Sequence, residues 1–160
     1  MTTHALAGRA KITDTTPAGK QLVAKAMYDR GLSFLRAAIL LRKQSGYQWP
    51  VLYLVCQGTE LILKAFLLSA DYDRYEPLLP KQRTFAHDLE KLATAVHSEL
   101  GRKPLNQALS GELHKLKDLY TSQFLRYADL RDLLVGPDTV KSERVFKWVL
   151  RLPAARARLK

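Results

Sequence analysis

The setting in this chain best suited to proton transfer is the run Arg83-Thr84-Phe85-Ala86-His87-Asp88-Leu89. A histidine at the start of a helix is placed to accept the proton of a ribose 2′-hydroxyl, or to return one to a leaving oxygen. Arg83 or Arg126 would then neutralise the charge that builds on a phosphorane. The competing reading is structural: His87 bridges two helices while Asp88 caps the second of them. A second set, Gln57, Glu60 and Lys64, interrupts an otherwise apolar run. At helical pitch these three fall within an arc of about 60°. They form either a pocket that binds a ligand or a polar network that fixes helix register. In both cases buried polar groups need partners, and Arg126 and Tyr127 are the expected ones.

Two further stretches bear on ligands. Tyr120–Tyr127 (YTSQFLRY) interleaves aromatics with Arg126, a composition that stacks bases and holds phosphates. At helical spacing Tyr120, Phe124 and Tyr127 also make a core stripe. The basic segment from Lys141 to Lys160 is the stronger polyanion candidate, with Lys141, Arg144, Lys147 and Arg151 on its helical part. Across the whole chain, 26 Lys and Arg against 15 Asp and Glu leave a net charge of +11, which favours RNA or another polyanion as partner.

Other chemistries find no support. There is no Gly-rich phosphate loop, no G-x-S-x-G turn, no H-E-x-x-H and no Cys/His cluster, so neither a metal nor a cofactor is expected. His4, His97 and His114 are expected on solvated surfaces. Cys56 is the single cysteine, so no internal disulfide forms, and its apolar surroundings suggest a buried thiol. The first sixteen residues lack the apolar segment of an export signal. Leu61–Ala70 carries Lys64, and no run reaches the ~20 apolar residues of a membrane span. A cytoplasmic protein without membrane association is expected.

These residues are carried by helices. Residues 1–16 read as a flexible arm, 17–152 as a single domain and 153–160 as a basic tail. The first helix is predicted from Thr16-Pro17 to about Ser45-Gly46, with Val23, Met27, Phe34, Ala38 and Leu41 as its apolar stripe. The second, from Trp49-Pro50 to about Ser69, is apolar on nearly every face and should be the buried centre. Asp71–Arg83 reads as a loop. A third helix starts near Thr84–Asp88 and ends at Gly101. A fourth lies mainly within Pro104–Tyr127, its first turns made uncertain by Gly111. After Gly136-Pro137, a last helix capped by Asp138 or Thr139 should stop at Pro153. The expected fold is all-α, a five-helix up-and-down bundle.

In order and spacing, several of these pieces resemble the HEPN superfamily. They are the FLRAAILLRK turn, Gln57-Gly-Thr-Glu60-Leu-Ile-Leu-Lys64-Ala-Phe-Leu-Leu, the His87-Asp88-Leu89 triplet, and Leu119-Tyr120 with Leu125-Arg126-Tyr127. The resemblance covers about residues 20–150 and implies an HEPN-like helical domain, frequently a homodimer. Many such proteins are metal-independent ribonucleases of toxin–antitoxin, phage-defence or RNA-processing systems. Others are binding or scaffold modules, some beside a nucleotidyltransferase. The usual ribonuclease signature is an Arg, four to six residues, then a His, late in the bundle. This chain departs from it: only three residues separate Arg83 from His87, and no histidine follows Arg126. The expectation is therefore a non-catalytic module binding nucleic acid or a partner protein. The alternative is a divergent ribonuclease using His87 with Arg126 or Arg83.

Overall fold

The structure, a computed structural model, describes residues 16–44, 48–81, 84–122, 125 and 140–157. Among the described residues there are six helices and no strand. They are α1 (Pro17–Arg42), α2 (Gln48–Ala70), α3 (Tyr72–Tyr75), α4 (Leu89–Glu99), α5 (Gln107–Thr121) and α6 (Glu143–Ala157). The protein is all-α, with one helix more than the five expected. The addition is the single turn α3, inside the segment read as a loop. Two prolines, Pro77 and Pro80, mask it in the sequence, but Asp71 caps it by accepting the Arg74 N–H, and Tyr75 drops into the core. The Tyr75 hydroxyl donates to Glu99, which also pairs with Arg74 at 2.9 Å, so the turn is tied to the end of α4.

The other helix starts show how local chemistry sets the boundaries. Thr16 Oγ1 accepts the Gly19 N–H at 3.0 Å, and Pro17 opens α1 without an N–H to waste. Asp88 Oδ1 accepts from Glu90 and Lys91 at the start of α4, and Asn106 Oδ1 from Leu109 at the start of α5. Helix α6 borrows its cap from another helix. The buried Glu112 of α5 accepts the Val145 N–H at 3.0 Å, and its other oxygen lies 3.6 Å from Arg144. The expected caps Asp138 and Thr139, like Gly136-Pro137, lie outside the described residues. Pro153 does not end α6, which continues to Ala157. A proline deletes one ladder hydrogen bond and bends a helix, and the remaining turns carry it on.

Helix α2 is the axis of the fold and touches each of the other five helices. By length and composition alone it would suffice to cross a membrane, yet 72% of its most apolar window is buried inside the protein. Val55, Cys56, Leu63 and Leu67 have no exposed surface at all. Around them pack Leu89, Leu92 and Val96 from α4, Leu113 and Leu116 from α5, and Val145 and Val149 from α6.

Helices α1 and α2 approach closely through glycines. A Cβ on Gly31 would stand 2.7 Å from Ile62 Cγ1 and 3.0 Å from the Gly58 carbonyl. A Cβ on Gly58 would meet the Leu35 side chain at 2.8 Å and the Gly31 carbonyl at 2.9 Å. The buried line of α1 is accordingly Gly19, Ala24, Gly31, Leu35 and Ala38. That line is offset from the predicted stripe, leaving Val23, Met27, Phe34 and Leu41 half-buried at its margins. Backbone contact replaces side-chain bulk.

Gly111 offers a control. It lies within α5 with nothing within 4 Å of an added Cβ. Gly58→Ala should therefore destabilise the fold by about 1–3 kcal/mol, whereas Gly111→Ala should stabilise it by about 0.5–1 kcal/mol. Urea unfolding of both variants measures this. Equal effects of one sign would contradict the close-contact account.

Candidate functional site

Helix α2 carries Glu60 into the core, where the carboxylate is 4% exposed. The surrounding elements answer that buried charge. Lys64, one turn along the same helix and 13% exposed, places Nζ 2.5 Å from Oε1. His87 reaches back from the turn before α4 and sets Nδ1 3.0 Å from Oε2. From α5, the Tyr120 hydroxyl lies 2.7 Å from Oε2 and 2.5 Å from the Gln57 amide. One hydroxyl proton cannot serve both. Of its two acceptors, Gln57 Oε1 and Glu60 Oε2, the charged carboxylate is the stronger.

Burial on its own would push the Glu60 pKa up. The Lys64 charge, together with hydrogen bonds from Lys64, His87 and Tyr120, outweighs that penalty and holds it below the ordinary carboxylate value. An ionised carboxylate carries no proton, so the His87–Glu60 bond requires the proton on Nδ1. In the neutral imidazole Nε2 is the acceptor nitrogen. It has no hydrogen-bond partner among the described residues, and the side chain is 54% exposed. The ring is steadied by an edge-on contact with Tyr120, at 5.7 Å between centroids and 88°. The preceding residue, Ala86, has φ +34, a left-handed conformation unusual for a non-glycine residue. A buried carboxylate orienting an imidazole whose far nitrogen faces outward is the arrangement of a general acid–base.

Gln57, Glu60, Lys64 and His87 thus meet at one place. Asp88 does not join them, since its Oδ1 caps α4 and its Oδ2 lies 3.9 Å from Lys91. Arg83, Arg126 and Tyr127 lie outside the described residues, as do Phe124 and His4. Tyr120, assigned from its spacing to the core, is both core and ligand of Glu60. A buried tyrosine hydroxyl almost always finds a partner, and that rule could have linked it to the only acid in α2. The Cys56 thiol is fully buried and contacts the Leu116 carbonyl at 3.9 Å. Burial, with a smaller contribution from Glu60, pushes its pKa far up, so it is no nucleophile.

Two histidines expected on solvated surfaces have partners. His114 lies between Glu90 at 3.2 Å and Asp118 at 3.4 Å, in a network that Lys117 completes at 3.2 Å from Glu90. His97 donates from Nδ1 to the Lys103 carbonyl at 2.9 Å, while its Nε2 is buried. No group of three or more His, Cys, Asp or Glu with metal-binding geometry occurs among the described residues.

The basic candidates fall elsewhere. Arg144, Lys147 and Arg151 lie on one face of α6 and line a groove of about 1010 Å³, joined by Arg102, Trp148 and the first turn of α5. Lys141 is exposed but does not line it. No protein-family model, no curated protein and no solved structure matches this chain.

The Glu60 cluster dictates a pH response. Its folded pKa is depressed, so its stabilisation is complete above the unfolded value near 4.5 and is lost as pH falls through the lower folded pKa. Glu60→Gln should flatten the acid limb of the stability curve below 4.5 relative to the parent. Melting temperatures over that window measure it, and parallel curves would refute the assignment.

Proposed function

We propose that this chain is an HEPN-like helical module, acting as a homodimer, that binds nucleic acid through the basic groove between α5 and α6. The observation that carries this reading is the convergence of Arg102, Arg144, Lys147 and Arg151 on that one groove. Three of the four recur along a single helix face, about one cation per 5.4 Å turn. Arg102, Lys147 and Arg151 have no carboxylate partner among the described residues. The net charge of +11 adds long-range attraction for a polyanion. On this reading the Glu60 cluster has a structural role, stitching α2 to the start of α4 and to α5.

A second reading, a metal-independent ribonuclease, is favoured by the outward-facing His87 Nε2 backed by Glu60. His87 would take the proton of a 2′-hydroxyl, with Arg126 or Arg83 as the expected charge stabiliser.

Anisotropy titration with labelled RNA tests the first reading. Lys147→Glu combined with Arg151→Glu should weaken binding at least tenfold. It should also reduce the slope of log affinity against log salt by about 1.4 for single strands, about 0.7 per lost contact. Unchanged affinity would remove the groove from the account. Incubating the parent and His87→Ala with mixed RNA, without metal, decides the second. Inertness of both is the expected outcome, and cleavage by the parent alone would replace the module with an enzyme.

A further inference from the structure

The α5–α6 groove has a feature that charge alone does not require. Trp148 sits on its wall one residue after Lys147 and four after Arg144, on the face of α6 that carries the cations. Its Nε1 is buried and has no hydrogen-bond partner among the described residues. The N–H edge is therefore turned inward, and the groove meets the carbon surface of the indole. Behind it stands His97, 5.6 Å between ring centroids at 45°, itself pinned by its bond to the Lys103 carbonyl. The ring packs against His97 and lines the groove beside the cations. Leu109 and Leu152, both buried, complete an apolar base.

We infer that this groove seats a single strand of nucleic acid, with phosphates on Arg102, Arg144, Lys147 and Arg151 and one base against the Trp148 indole. The inference rests on the nucleic-acid reading above and narrows it. A row of cations beside an aromatic face is what an unstacked base and its flanking phosphates require, and it is tolerant of sequence because every base has a π face. A duplex keeps its bases stacked on each other and would engage only the cations. Inorganic polyphosphate would do the same. Arg144 stands 3.6 Å from Glu112, whose other oxygen accepts the Val145 N–H, so the acid that caps α6 also lies beside this cation.

The test uses the protein's own fluorescence. Trp49 and Trp148 are its two tryptophans, and Trp49→Phe leaves Trp148 as sole reporter. A short oligouridylate or oligothymidylate should quench this emission and bind more tightly than a blunt duplex of equal charge or polyphosphate. Comparing oligouridylate with oligodeoxyuridylate, which differ only at the 2′ position, identifies the sugar. Trp148→Leu should weaken single-strand binding about fivefold or more while leaving polyphosphate binding unchanged. Should that variant fail to fold, the Trp49→Phe titration decides alone. Equal affinity for strand, duplex and polyphosphate with unaltered emission would overturn the single-strand inference and leave the nucleic-acid reading standing. No binding of any of them would overturn both.

Discussion

A carboxylate buried in an oily helix organises this protein. Leaving Glu60 unpaired would cost several kcal/mol, so the chain must bring partners to it from separate elements. Lys64 comes from its own helix, His87 from the turn before α4 and Tyr120 from the end of α5. His87 and Tyr120 fix the register of the elements that carry them against α2. The hydrophobic contacts of α2 are numerous and would tolerate a slide or a rotation. The carboxylate would not, because two oxygens with three donors around them define a position in space.

The opposite device operates on the other side of the same helix. Between α1 and α2 the specifying feature is the absence of side chains at Gly31 and Gly58, which lets the two backbones approach as closely as they do. The two sides of α2 are thus determined by different physics, packing on one and electrostatics on the other. Glu112 repeats the electrostatic device at smaller scale, joining α5 to α6 where α6 needs an acceptor for a free amide. Helix α5 therefore has Tyr120 on the Glu60 cluster near its last turn and Asn106 to Leu109 on the basic groove at its first. At 1.5 Å per residue these ends are about 20 Å apart. A strand held in the groove would have to run roughly that distance along the helix to meet His87. For this reason the groove and the histidine stand as separate propositions.

Much of the helical layout was legible from residue order alone. The Thr16-Pro17 start, the apolar sequence of α2 and the Asp88 start of α4 all follow from local rules, and the structure has them close to their expected places. The interface line of α1 was not legible, because hydrophobic periodicity rewards bulk while the true contact is made by Gly and Ala. Helix α3 was hidden by prolines, although its cap and its buried Tyr75 were both in view. Of the Glu60 cluster, Gln57, Glu60 and Lys64 could be grouped by pitch. Their cross-helix partners were legible only in part: a buried tyrosine needs a hydrogen-bond partner, yet nothing local distinguishes Tyr120 from its aromatic neighbours. Glu112 resembled any surface acid, because a cap supplied by a distant helix leaves no trace in spacing. The grouping of Arg144, Lys147 and Arg151 was visible. Arg102 and Trp148 joined them only once α5 and α6 were packed.

The most direct measurement of the central claim is a double-mutant cycle between Glu60→Leu and Tyr120→Phe, read by urea unfolding. If the carboxylate holds α5 through that hydroxyl, the two changes should couple by about 0.5–3 kcal/mol, with Tyr120→Phe costing much less once Glu60 is gone. Strict additivity would mean that the two groups are merely neighbours, and the fold would have to be explained by packing alone.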